Sequence, residues 1–467
     1  MRKNNIHKLL ATVILLFLIH NCDERQQFDT EKASQVQKQI ETSLKRNILE
    51  KWYPRIIDRE NGGFHAKYDR QWNRISSYPK ALIFQSRGVW TASKAAMRYP
   101  QENVYEEAAN HGFRFLKNQA WDAKYGGFYQ SIPSENQQIW NKSKTAYGNS
   151  FAIYALAAYH DLTGSEEALE LAKKTFYWLE KHCYDSTYGG YFNYATRKGI
   201  TYKEKDKFIK QVSRLSKWPT KSRKYKDYNT TIHLMEAFSE LYRVWPNELM
   251  KKRLQEVFDL ICNKIYSEKG YLKMFFNEQW EHISFKDSSK TFLMAHSWYD
   301  HVSFGHDMET AFLLLEAEDA LKKENTNKTL TIAKNLVDHS VAHGFDKDYA
   351  GVFYEGYYFT DDSITIINSD KEWWPQAEAL NALLMFAILY PGNKQYQEAF
   401  YSLWDYTSKY IVDNKYGGWY KRGLDQERKE NLKLLKASPW KSCYHNYRAL
   451  SNCADMLRHG SPIMEIE

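Results

Sequence analysis

The chain has 467 residues, a formal net charge of +8 and 26% charged residues. An excess of base this modest gives no case for a nucleic-acid partner, and five Cys without C-x-x-C or Cys/His spacing give none for a metal site. Length alone would allow two or three domains, but no Pro-, Gly- or Ser-rich linker interrupts the pattern described below, so one domain is expected.

The start reads as a targeting segment. "MRKNNIHK" is basic, "LLATVILLFLI" is apolar yet too short to span a bilayer comfortably, and Cys22 follows at once. This resembles a bacterial lipoprotein signal, although His20 and Asn21 stand where small residues are usual. The expectation is a signal over 1–22 with lipidation at Cys22, a polar tether over 23–30 and a catalytic domain over 31–467. The protein would then be exported and held in the cell envelope by lipid, with a plain secretory signal or an uncleaved anchor as alternatives.

From Glu31 to Trp52 apolar residues recur at helical spacing, and a turn follows in "DRENGGFHAKY". That turn returns as "DAKYGGFYQ" from Asp122, "DSTYGGYFNY" from Asp185 and "DNKYGGWYKR" from Asp413, with looser copies from Ser267 and Asp346. Copies lie about 60 to 80 residues apart, room for two helices and their loops. "ALIFQSRGVWTASKAAM" and "VYEEAANHGFRFLKNQ" fill the first interval; "SFAIYALAAYHDL" and "EEALELAKKTFYWLEKH" fill the second, with Thr163 and Gly164 as the break. About a dozen helices paired around six turns predict an all-α fold, an (α/α)6 barrel of six helical hairpins in a ring with short Gly-rich β-hairpins at one end.

Composition separates two layers. The helix after each turn opens on polar and aromatic residues, as in "QSRGVW", "TAYGNSF", "NTTIHLMEAF", "FGHDMETAF", "EWWPQAEAL" and "YHNYRAL"; the other carries charges on one face, as in "NELMKKRLQEVF". The first kind is the inner wall. A basic insert from Arg197 to Asp227 is expected to be a solvated loop, with a lid role open. Cys183, Cys262, Cys443 and Cys453 fall within the predicted helices as buried free thiols. The 35 Tyr and 15 Trp suit a pocket for sugar faces, although packing accounts for most of them.

Candidate chemistry sits at the start of the inner helices. Asn229, His233 and Glu236 are spaced i, i+4, i+7 and share a face; His306 and Glu309 are i, i+3; Trp374 and Glu378 are i, i+4. Trp440 and His445 stand at the start of the last helix and Arg87 near the start of the first barrel helix. Equivalent repeat positions should converge on one pocket at the turn end. Glu309, one turn from His306, is placed to orient it or raise its basicity.

"NTTIHLMEAFSELYRVWP", "SFGHDMETAFLLLEA", "KEWWPQAEALNALL" and "WKSCYHNYRAL" closely resemble the N-acylglucosamine 2-epimerase superfamily, in particular the cellobiose and mannobiose 2-epimerases. The resemblance spans roughly Ala33 to Arg458. It implies reversible epimerisation at C2 of the reducing-end sugar of a β-1,4-linked disaccharide, without metal or other cofactor; a monomer is expected. His306 and His445 match the acid/base pair, His233 a residue proposed to assist ring opening, and Arg87 the contact to carbonyl and enolate oxygens. Asn229, Glu309, Trp374, Glu378, Trp440 and, less closely, Tyr147 match substrate-holding positions, with Trp374 and Trp440 expected to stack on sugar rings. Phe312 stands where many relatives carry Trp, and Cys443 where Pro or a small residue is common.

The chemistry fits independently of the resemblance. Deprotonation α to a carbonyl needs a base near neutrality and a cation for the enediolate, and inversion needs either two bases flanking C2 or an intermediate that rotates. An aldose–ketose isomerase would use the same groups. An inverting glycoside hydrolase would draw its carboxylates from Asp69, Asp307, Glu309 and Glu378, and a glycan-binding lipoprotein would use the pocket without chemistry.

Overall fold

The computed structural model describes residues 30–76, 79–133, 143–201, 225–286, 288–322, 327–360 and 362–460. The signal over 1–22, Cys22, the tether up to residue 29 and residues 202–224 of the basic insert lie outside them. Thirteen helices are named here: α1 Thr30–Thr42, α2 Leu82–Arg98, α3 Asn103–Phe115, α4 Ala146–Thr163, α5 Glu166–His182, α6 Tyr228–Val244 and α7 Glu248–Leu260, followed by α8 Lys290–His296, α9 Phe304–Ala320, α10 Asn327–His339, α11 Trp373–Leu389, α12 Lys394–Tyr406 and α13 Tyr444–His459. Helix α1 runs on through the π-helical stretch Ser43–Leu49 to Trp52.

The inner wall is α2, α4, α6, α9, α11 and α13, each packed on the next, with α13 closing on α2. Outer helices α3, α5, α7, α10 and α12 pack on the inner helix that precedes them, while α1 packs on α13, so the first and last helices among the described residues complete the sixth hairpin. This is the predicted (α/α)6 barrel. Inner helices are buried around their full circumference: α11 buries every residue from Trp373 to Ala387. A helix apolar on all sides must lie between two layers. Outer helices bury one stripe only, as Ala168, Leu169, Leu171, Ala172, Phe176 and Leu179 show on α5.

All six Gly-rich turns close with an antiparallel bridge across them: Ile57 to Phe64, Trp121 to Phe128, Tyr184 to Tyr191, the strands Tyr266–Ser267 and Tyr271–Leu272, Phe345 to Val352 and Val412 to Trp419. The turn needs left-handed backbone, supplied by Gly126 and Gly127 at φ +68° and +70°. A Cβ on Gly127 would also meet the Trp178 ring at 2.6 Å. The fifth copy places Ala350 at φ +62° instead.

A buried ion pair staples most turns to the following inner helix. Asp58 meets Lys80 at 2.8 Å, Asp122 meets Lys144 at 3.0 Å, Asp185 meets Lys226 at 2.8 Å, Asp346 meets Lys371 at 2.7 Å and Asp413 meets Lys436 at 2.8 Å. The remaining turn has lost both partners together, with Ser267 at the Asp position and Val302 at the Lys position two residues before α9. Leaving either charge alone in the interior would cost more than losing the pair. The ends of the basic insert join this scheme, because Arg197 bonds Asp122 at 2.8 Å and Lys226 belongs to a staple.

All four described cysteines are buried and free. Cys453 lies inside α13 and Cys262 in the π-helical stretch Ile261–Ile265 that continues α7, whereas Cys183 and Cys443 cap helix ends, a correction due to α5 ending and α13 starting one residue short of them. Among the described residues no helix is long and apolar enough to cross a membrane.

Candidate active site

The inner helices deliver side chains to the pocket in layers set by repeat position. The second residues of α4, α6, α11 and α13 are Tyr147, Asn229, Trp374 and His445. The sixth residues of α2, α4, α6, α9 and α11 are Arg87, Phe151, His233, Glu309 and Glu378. Positions two and six are one helical turn apart on one face, so they form a rim and a floor. In α9 the second residue is Gly305, where a Cβ would lie 2.7 Å from the Trp374 ring, and His306 comes one residue later. Close approach of that indole therefore dictates the Gly.

The fourth residues of α2, α4, α9 and α11 point back to the preceding turn instead. Gln85 accepts from Phe64 N at 2.6 Å, Asn149 from Phe128 N at 2.8 Å, Asp307 from Leu272 N at 3.0 Å and Gln376 from Val352 N at 2.7 Å. Asp307 of "GHD" is thus a turn anchor, and burial pushes its carboxyl well above the usual range.

His306 and His445 share one neighbour. The Trp374 ring lies 4.5 Å from the His306 ring and 5.7 Å from that of His445, centroid to centroid. At 7% exposure, and with Tyr354 edge-on at 6.0 Å, Trp374 holds both imidazoles in place. His445 Nδ1 lies 2.5 Å from Glu378 Oε1. His306 Nδ1 meets the hydroxyls of Ser303, at 2.7 Å, and Tyr228. Among the described residues Nε2 of each ring has no hydrogen-bond partner, which leaves that nitrogen to a substrate.

This corrects the expected role of Glu309. The carboxylate does not reach His306; it binds Arg448 at 2.5 Å and lies 4.0 Å from His445 Nδ1. An i, i+3 relation puts two side chains on one face but does not make them touch when a stronger cation stands on another helix. Trp440 sits in the turn before α13, at 50% exposure, and belongs to neither of the two helical layers.

The residue that organises the floor is Arg448, which no motif singled out. Buried on α13, it donates to Glu236 and Glu309 and lies 2.9 Å from Glu378 Oε2. Tyr444 donates to Glu236, which also meets His233 Nδ1 at 2.9 Å. The signal was present: inner helices aiming Glu236, Glu309 and Glu378 at one axis require a buried cation, and Arg448 is three residues past His445 on the same face.

Burial would raise the Glu236 carboxyl, yet Arg448 and His233 bring it down to about 2. Burial wins at Glu378, which rises to about 7 despite Arg448. Burial also drives both imidazoles well below 6.5, helped by His233 at His306 and by Arg87 at His445. Arg87 lies over Phe151 at 4.3 Å and donates to Tyr147 at 3.3 Å, while its Nε has no partner among the described residues. A buried guanidinium with an unspent donor is suited to an oxyanion.

Glu309, Glu378 and His445 offer ligand atoms within 4.8 Å of one another, the one such group among the described residues. The Arg448 guanidinium bridges those two carboxylates, so a metal there would have to displace a buried cation.

A family model described as N-acylglucosamine 2-epimerase (GlcNAc 2-epimerase) matches residues 62–449. The chain is 29% identical to a cellobiose 2-epimerase of Bacteroides fragilis over 423 residues, 90% of this chain and 98% of that one. A cellobiose 2-epimerase of Ruminococcus albus is 28% identical over 91% of this chain and 99% of its own. The solved cellobiose 2-epimerase from Bacillus thermoamylovorans superposes with a TM-score of 0.74 at 26% identity, covering 91% of this chain and 99% of that one. Barrel, pocket and these likenesses define an enzyme of the carbohydrate epimerase/isomerase class. The chain belongs to the N-acylglucosamine 2-epimerase family.

Proposed function

We propose that the enzyme inverts C2 of the reducing-end sugar of a β-1,4-linked disaccharide of cellobiose or mannobiose type, with His306 and His445 exchanging the C2 proton. The observation that carries this reading is the pair of imidazoles packed on one indole, each with Nδ1 engaged, beside an under-bonded Arg87. The names of the relatives support the disaccharide.

In the proposed cycle, His233, polarised by Glu236 at 2.9 Å, assists opening of the sugar ring to the aldehyde. Nε2 of one imidazole takes the C2 proton; the C–H electron pair moves into C1–C2 and the carbonyl π pair onto O1, giving an enediolate facing Arg87. The other imidazole, which enters the cycle as the imidazolium, returns its proton to the opposite face, and proton exchange with water resets the two rings. The carbonyl reforms and the ring closes on the epimer.

Hydrolysis is disfavoured by what the carboxylates already do. Asp307 anchors a turn, and Glu309 and Glu378 are locked to Arg448 beneath the imidazoles. Aldose–ketose isomerisation would follow if the proton returned to C1. Incubation of the signal-free protein with a panel of reducing sugars in heavy water, read by NMR, separates these outcomes. Deuterium at C2 of both epimers with the glycosidic bond intact is expected; free monosaccharides or a ketose as main product would overturn the reading.

The basic, then apolar start ending at Cys22 supports an exported, lipid-anchored protein. Labelling of the full chain by a fatty-acid analogue, lost in Cys22→Ser, is the expected result.

A further inference from the structure

The two imidazoles beside Trp374 are held by different chemistry. His445 gives Nδ1 to a carboxylate that Arg448 also holds. At 2.7 Å or less His306 Nδ1 has instead two hydroxyls, from Ser303, which directly precedes α9, and Tyr228, the first residue of α6. All three residues of this cluster belong to elements that meet at the turn end of the barrel. Both hydroxyl residues are buried, and burial holds the phenol well above its ordinary value, so it keeps its proton. The Tyr228 ring stands edge-on to the His306 ring at 4.9 Å, which fixes the imidazole plane as well.

A free neutral imidazole prefers its proton on Nε2, the wrong tautomer for a base that must take a proton there. A hydroxyl oxygen can accept from Nδ1–H, and two of them around one nitrogen give that proton an acceptor through small ring movements. We propose that Tyr228 and Ser303 are positioning residues that hold His306 as the Nδ1–H tautomer with Nε2 bare. The inference rests on His306 being one of the two proton-transfer groups. It adds an asymmetry: neutral oxygens stabilise an imidazolium less than Glu378 can, so His306 is the weaker base and, once protonated, the readier donor.

The test combines 15N NMR of the histidine rings with C2 exchange in heavy water. In the wild-type protein the His306 resonances should show a protonated Nδ1 and an unprotonated Nε2. Tyr228→Phe keeps the ring packing and Ser303→Ala removes only an oxygen; in each variant the resonances should move toward the Nε2–H tautomer, and furthest in the double variant. Exchange from the epimer deprotonated by His445 should persist while inversion drops, raising the ratio of exchange to epimerisation at least fivefold, with Ser303→Thr restoring it. A structural defect would lower both together. Protonated Nε2 in the wild-type protein, or ring resonances unmoved in the double variant, would overturn the proposal. Full epimerisation by His306→Ala would instead refute the acid/base reading and leave the tautomer measurement standing.

Discussion

Glu378 touches both His445 and Arg448, and the balance between those two contacts sets how readily His445 accepts a proton. Glu378→Gln keeps the shape and removes the charge that would stabilise the imidazolium; kcat should fall about 100-fold or more with KM little changed, measured by steady-state kinetics. A rate within twofold of wild type would show that the carboxylate plays no part. Burial first, and neighbouring cations second, lower both imidazole pKa values. The base form is the unprotonated one and is lost only as pH falls through the lowered value, so the acid limb of kcat/KM should lie below 6.5, while the other imidazole's need for a proton makes the rate fall again on the alkaline side. An acid limb centred at 6.5 or higher would contradict that. Trp440→Ala should raise KM through lost sugar contact, whereas Trp374→Ala should lower kcat, since that indole braces both imidazoles. His306, His445, His233 and Arg87 were legible because a repeat gives each inner helix the same inward positions. Tyr228, Ser303 and Arg448 were not, because their roles depend on which neighbouring helix a polar tip reaches, and periodicity within one helix carries no such information.

The Asp–Lys staples make each turn and its inner helix one cooperative element. Lys226→Met removes the buried cation that faces Asp185 and should lower stability by roughly 3–5 kcal/mol. The paired change Asp185→Ser with Lys226→Val copies the turn at Ser267 and Val302, and should cost less than the sum of the two single changes, read from denaturant unfolding. Strict additivity would mean that the two charges do not interact. Ala350, at φ +62°, carries strain that the Gly of other copies avoids. Ala350→Gly should therefore stabilise by about 0.5 kcal/mol, a small gain because glycine also loosens the unfolded chain. The turns themselves were readable from their Gly pairs and leading Asp. The staples were not, since Lys80, Lys144 and Lys226 read as ordinary surface charges until the fold buries them.

Closure of the ring depends on the two ends of the domain meeting. Ile40, Leu44, Ile48, Leu49 and Trp52 are buried in the core, and their helix, α1, packs on α13, which carries His445 and Arg448. A chain shortened through Trp52 should lose both cooperative unfolding and activity, because the floor's cation would lose its outer support. Six hairpins were legible from the six turns, and the pairing of first helix with last follows from ring geometry. The central claim, that His306 and His445 face C2 from opposite sides, is tested most directly by following each alanine variant in heavy water with each C2 epimer separately. A two-base site predicts that His306→Ala exchanges C2 of one epimer only, that His445→Ala exchanges C2 of the other only, and that neither inverts. Inversion at undiminished rate by either variant, or exchange of both epimers by one of them, would show that a single base serves both faces.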